Sequence, residues 1–154
     1  ATMLVKIPIP FTQGYVHLGD AMIFLSVLIL GWKYGAVAAG VGSMLGDIIG
    51  GFAFWAPWTL VIKGGMAVLM GVCMRGGPSR GRELAGMTLG GLFMAAGYFL
   101  AEGIMYGNFG TAALGIPWNI GQFAVGMILA EILSAALQRT PAEKYFTYKL
   151  TAAK

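Results

Sequence analysis

Charge is scarce in this sequence: 10% of its 154 residues are Asp, Glu, Lys or Arg, against 58% hydrophobic residues. Water-soluble domains carry roughly 25% charged residues, because charge covers the surface that faces water. No such shell can be assembled here, so a soluble fold is excluded and lipid is the expected solvent. Cysteine is nearly absent. Cys73 stands alone, which rules out an internal disulfide and a cysteine metal cluster. Histidine is also single, at His17, so a multi-histidine metal site is excluded and no metal or other cofactor is expected.

Catalytic equipment is missing as well. A phosphate-binding loop needs GxxxxGK[ST] after a strand, and Gly76-Gly77-Pro78-Ser79-Arg80-Gly81-Arg82 has neither that lysine nor a strand before it. A Cys–His nucleophilic pair fails on distance. His17 falls at one edge of the apolar region, and Cys73 lies about 24 Å along its own helix, near the opposite edge. The remaining carboxylates have no activated nucleophile beside them, so an enzyme is not expected. The net charge of +4 does not point to nucleic acid, because the basic residues sit in short loops between apolar runs.

Those apolar runs are what the chain does have. Five are long enough to cross a bilayer within a bundle: residues 17–32, 36–54, 57–74, 83–106 and 117–137. Pro57 and Pro117 stand in first turns, where a missing N–H costs nothing. The connections are residues 33–35, 55–56, 75–82 and 107–116. Ala1 to Val5 is apolar and stops at Lys6, which reads as the tail of a further helix. No signal-peptide pattern is present. The expected fold is therefore all-α: one transmembrane domain over residues 1–154, a polytopic bundle of six membrane helices with the first one truncated.

Basic residues set the orientation. Lys33, Arg75, Arg80, Arg82, Arg139, Lys144, Lys149 and Lys154 fall on one side when the loops are alternated, leaving only Lys6 and Lys63. Positive residues favour the cytoplasm, so that side and the C-terminus are predicted to be inside. Gly42, Gly46 and Gly50 form a GxxxG ladder, which either packs one face of its helix inside the bundle or offers it to a partner subunit.

Charges in membrane spans are costly and mark sites or buried pairs. At 1.5 Å per residue, Asp20, Asp47, Lys63, Glu102 and Gln122 all fall about 5–10 Å below the outer edge, and Glu131 lies deeper, at about 21 Å. Tyr15, Trp55, Trp58, Tyr106 and Trp118 are interleaved at the same level, with His17 and Asn119 beside them. Aromatic walls with a few directed polar groups describe a small-molecule pocket. Other readings stand beside this one. The tryptophans also suit an interfacial belt, His17 a helix start and Asp20 a helix entrance. Asp47 and Lys63, at matched depth on consecutive helices, suit either a structural ion pair or ligand contacts. A membrane-complex assembly subunit, its buried charges merely paired with one another, is the alternative function.

The segment Gly14-Tyr15-Val16-His17-Leu18-Gly19-Asp20-Ala21, the glycine-rich run 35–51 with Gly46-Asp47, and Trp55-Ala56-Pro57 leading to Ile62-Lys63-Gly64 carry a resemblance. The chain resembles the substrate-binding S components of energy-coupling factor (ECF) transporters, in the riboflavin-type branch with pyridoxine and hydroxymethylpyrimidine members. The resemblance implies six helices, a high-affinity site near the outer face, and a capping loop at residues 6–16. It also implies a prokaryotic plasma membrane location, a vitamin-like solute, a membrane coupling subunit and two cytoplasmic ATPases. The family's small-xxx-small coupling motif would precede Ala1.

Overall fold

The computed structural model describes residues 6–8 and 15–149, with side chains from Leu18 onward. Two short strands come first, β1 (Lys6–Pro8) and β2 (Tyr15–His17), paired antiparallel with Lys6 opposite His17 and Pro8 opposite Tyr15. They qualify the all-α expectation. Pro8 has no N–H to give a helix, and the ribbon satisfies the backbone instead.

The helices follow as α1 (Gly19–Ile49), α2 (Ala56–Met74), α3 (Arg80–Tyr106), a short α4 (Phe109–Ala113) and α5 (Ile116–Gln138), with a 3-10 turn at Pro141–Tyr145. Helix α1 is broken at Gly31, whose φ of 76° and ψ of 170° belong to a region open essentially to glycine alone. The chain reverses there. Ser26 Oγ reaches back to the carbonyl oxygen of Gly35 at 3.4 Å, and a Cβ on Gly35 would stand 2.9 Å from Val27 Cα. Residues 19–30 and 32–49 are thus two arms lying side by side. The turn predicted at 33–35 falls earlier because Gly31 alone tolerates it, and the second arm ends at Gly50-Gly51 rather than Phe54.

The Gly31 turn strands carbonyl groups that a helix would have bonded. The C-terminal tail supplies the donors: Thr147 N and Oγ1 donate to Ile29 O at 3.1 and 2.8 Å, and Tyr148 N donates to Leu28 O at 3.0 Å. Phe146 is buried alongside. At the other end Gly107, with φ 66°, closes α3 in the left-handed conformation. The connection at 107–116 holds α4, capped by Asn108 Oδ1 accepting from Thr111 N at 3.0 Å.

Four stretches among the described residues are long and apolar enough to cross a membrane: Gly19–Ile49, Ala56–Met74, Arg80–Tyr106 and Phe109–Gln138. Their outer faces are apolar, with Val37, Val61 and Ile128 all more than 60% exposed, as lipid contact requires. Inside, Met66, Met70 and Met74 on α2 meet Met87 and Met94 on α3, all fully buried. Glycines let the backbones approach: a Cβ on Gly86 or Gly90 would stand 3.0 or 2.8 Å from the carbonyl oxygen of Met70 or Met66.

The glycine ladder behaves differently from one of its two expectations. A Cβ on Gly42 would meet nothing within 4 Å among the described residues, Gly46 is buried, and Gly50 ends the helix. The tight crossing between α1 and α2 uses Gly40 instead, where a Cβ would stand 2.8 Å from Leu60 O and 3.5 Å from Gly64 Cα. Gly42 lines an open groove between the arms of α1, with Gly19, Ser26, Ala38 and Ser43.

Candidate functional site

Three helices carry their site-facing residues three or four apart, so each presents them as one stripe. On α2 and its start these are Trp55, Thr59 and Lys63; on α3, Met94, Tyr98, Glu102 and Tyr106; on α5, Asn119, Gln122 and Gly126 complete the third. Asp20 enters from the first turn of α1. It fits against α5 because position 126 is glycine: a Cβ there would come within 2.8 Å of Asp20 Cβ.

At the floor, Lys63 Nζ donates to Asp20 Oδ1 at 2.5 Å and to Met94 Sδ at 2.8 Å, and lies 5.3 Å from the Tyr98 ring centroid. Gln122 Nε2 donates to the other oxygen, Asp20 Oδ2, at 2.9 Å. Both charged side chains have no exposure at all. Two charges out of water are tolerable only when paired and hydrogen-bonded in this way. The expected partner of Lys63 was Asp47; the structure gives it Asp20. Matched depth pointed to Asp47, but the Gly126 gap seats Asp20 directly over α5. Asp47 is buried near the end of α1, and its backbone oxygen accepts from Phe52 N at 2.8 Å.

Above the floor lies an aromatic layer. Trp55, itself buried, meets Tyr98 edge-on at 5.9 Å between centroids and Tyr106 at 6.2 Å. The Tyr98 hydroxyl and Thr59 Oγ1 are 3.3 Å apart. Beside this layer Glu102 and Asn119 approach Gly115, whose absent side chain leaves room for both tips: a Cβ would stand 3.1 Å from Glu102 Oε2 and 3.8 Å from Asn119 Nδ2. The candidate residues therefore divide. Asp20, Lys63 and Gln122 form one linked cluster, Trp55 and Tyr106 one aromatic pair, and Glu102 and Asn119 one polar edge. Trp58 is half-buried against the core, and Trp118 is exposed on the outer side of α5. The side chains of Tyr15 and His17 lie outside the described residues; β2, which carries them, runs against α5.

Residues 1–139 match the ECF-type riboflavin transporter, S component family. The chain belongs to that family. Its similarity to a thiamine precursor transporter, HmpT of Lactococcus lactis subsp. cremoris (strain MG1363), is 35% identity over 138 residues, covering 89% of this chain and 78% of that one. An uncharacterised protein of Pyrococcus woesei is 46% identical over 112 residues, covering 73% of this chain and 75% of that protein. The apolar spans and the membership together make the chain a membrane protein and a transport subunit, not an enzyme.

Three residues of this candidate site are not singled out by the sequence reading: Thr59, Met94 and Tyr98. The signal was the four-residue spacing itself, which places Thr59 between Trp55 and Lys63 and Tyr98 between Met94 and Glu102. A second polar cluster also went unread. At the far end of the bundle Arg80 pairs with Glu131 and stands 3.9 Å from Glu83.

Proposed function

We propose that this S component captures one small, flat, ring-containing nutrient, a vitamin or vitamin precursor, between the Trp55–Tyr98–Tyr106 layer and the Glu102–Asn119 edge. The aromatic layer standing on a closed ion pair is the observation that carries the reading. It offers ring faces for stacking, with Thr59 and Asn119 for hydrogen bonds. Asp20, Lys63 and Gln122 spend their hydrogen bonds on one another, so they act as the rigid floor. Tyr15, His17, Asp47, Trp58 and Trp118 remain candidates for the rim. Hydroxymethylpyrimidine leads the solutes, since a relative is named a thiamine precursor transporter; pyridoxine follows by family resemblance, then riboflavin.

The pocket opens outward in this reading. Trp32, Lys33, Arg75, Arg80 and the tail that caps Gly31 share the opposite end, and basic residues mark the cytoplasm. The complete bundle is read as the six-span arrangement of the family, with the two arms of α1, α2, α3 and α5 as five of its members. Uphill import then needs a membrane coupling subunit and two cytoplasmic ATPases, in a prokaryotic plasma membrane. The open groove at Gly42 is a surface such a subunit can cover.

Thermal unfolding of the purified protein, screened against hydroxymethylpyrimidine, pyridoxine, riboflavin, folate, pantothenate and thiamine, tests the reading. One small ring compound should raise the transition by several degrees, as a ligand at about 100 times its Kd stabilises by about 2.7 kcal/mol. No shift with any of the six would contradict it.

A further inference from the structure

Two levels of polar groups face the site, and they differ in how their hydrogen bonds are met. Asp20, Lys63 and Gln122 below are answered by protein atoms. Glu102 and Asn119 above are 7% and 8% exposed and make no hydrogen bond or ion pair among the described residues. A mostly buried carboxylate with no donor among the described residues takes its hydrogen bonds from water or from a ligand. Among the described residues Lys63, the cation nearest this layer, is committed to Asp20, Met94 and the Tyr98 ring.

The two tips are arranged as a pair. Glu102 closes the stripe of α3 that carries Tyr98, Asn119 lies in the first turn of α5, and both border the space that Gly115 leaves empty. A carboxylate only accepts; a carboxamide donates through its nitrogen and accepts through its oxygen. Side by side they ask for a ligand edge that gives one N–H and takes another. An amino group next to a ring nitrogen has that pattern, as it does when a carboxamide reads the N6–N7 edge of adenine. A phosphate or carboxylate substituent is disfavoured at this edge, since it would meet Glu102 with like charge.

We infer that Glu102 and Asn119 read the edge of an amino-substituted nitrogen heterocycle, with Glu102 accepting from the amino group and Asn119 donating to the adjacent ring nitrogen. This rests on the proposed function above and selects within it: a 4-aminopyrimidine is preferred to pyridoxine, whose ring carries hydroxyls and no amine.

The test is calorimetry on the purified full chain with three probes: 4-amino-5-hydroxymethyl-2-methylpyrimidine, the same compound with hydroxyl in place of the amino group, and pyridoxine. The wild type should bind the amino compound at least roughly tenfold more tightly than the other two, a difference of about 1.4 kcal/mol. Glu102→Gln should weaken the amino compound at least roughly tenfold and bring it to within about threefold of its hydroxyl analogue. Equal binding of the amino and hydroxyl compounds by the wild type overturns the inference while leaving the nutrient-binding reading intact, and needs no variant to fold. If none of the three binds the wild type and the thermal screen is also silent, both fail together.

Discussion

At one end of the bundle Lys63 gives its protons to Asp20, Met94 and the Tyr98 ring, with no exposure to solvent; at the other, Arg80 stands 61% exposed against two carboxylates, Glu83 and Glu131. The ingredients are the same, acidic and basic side chains on α-helices of one membrane bundle. Among the described residues only the first set is roofed by aromatic rings. Its charges are consumed locally, which leaves a dry, rigid base on which a neutral ring can be stacked. In the second set a mostly exposed guanidinium faces two largely buried acids, and screening on its side weakens whatever each pair contributes. Composition alone does not distinguish these two clusters. The partners, and what covers them, do.

The contrast requires the two ends to lie on opposite sides of the membrane, and its largest test is all-or-none. On a Cys73→Ala background, Ser79→Cys should be labelled by an impermeant maleimide only from the cytoplasmic side, and Thr111→Cys only from outside. Labelling of Ser79→Cys from outside would turn the candidate pocket toward the cytoplasm.

Next in size is the floor itself. Lys63→Met leaves Asp20 charged and unpaired in the bundle, and should cost about 3–5 kcal/mol in thermal or denaturant unfolding. Asp20→Asn combined with Lys63→Met should recover much of that loss. A double variant as damaged as the sum of the two singles would mean that the residues do not act as a pair.

A smaller effect is expected at Gly31. Gly31→Ala forces a Cβ into backbone angles that only glycine adopts freely, and should cost about 1–3 kcal/mol without changing ligand affinity. An unchanged transition temperature would show that the reversal between the arms is not held there. Smallest is Glu131→Gln in the Arg80 cluster, expected to shift stability by less than about 1 kcal/mol, because Arg80 is mostly exposed and keeps Glu83 beside it. A loss comparable with that of Lys63→Met would erase the distinction between the two ends.

Much of this architecture was legible in the residues. Pro57 and Pro117 mark the starts of α2 and α5, and the apolar runs predict α2 and α5 to within a residue or two. The polar residues of the outer third stand out because charge in a membrane span is rare. Their pairing was not legible. Depth along a helix axis says nothing about azimuth, so matched depth pointed to Asp47 as the partner of Lys63, whereas the Gly126 gap seats Asp20 there. The tail was equally opaque, since Thr147 and Tyr148 bond to carbonyl groups that exist only because Gly31 breaks α1. Met94 was hidden by chemistry: a thioether reads as core filling, and here it also accepts from an ammonium.

The central claim is that the nutrient binds on the aromatic layer above the Asp20–Lys63 floor, and not at the charged far end. Calorimetry with the solute selected by the thermal screen, on the wild type, Trp55→Leu and Glu131→Gln, addresses it most directly. Trp55→Leu removes the ring that meets both Tyr98 and Tyr106, and should weaken binding at least roughly tenfold, or about 1.4 kcal/mol. Glu131→Gln should bind within about twofold of the wild type. Unchanged affinity in a folded Trp55→Leu protein, or a tenfold loss in Glu131→Gln, would contradict the account.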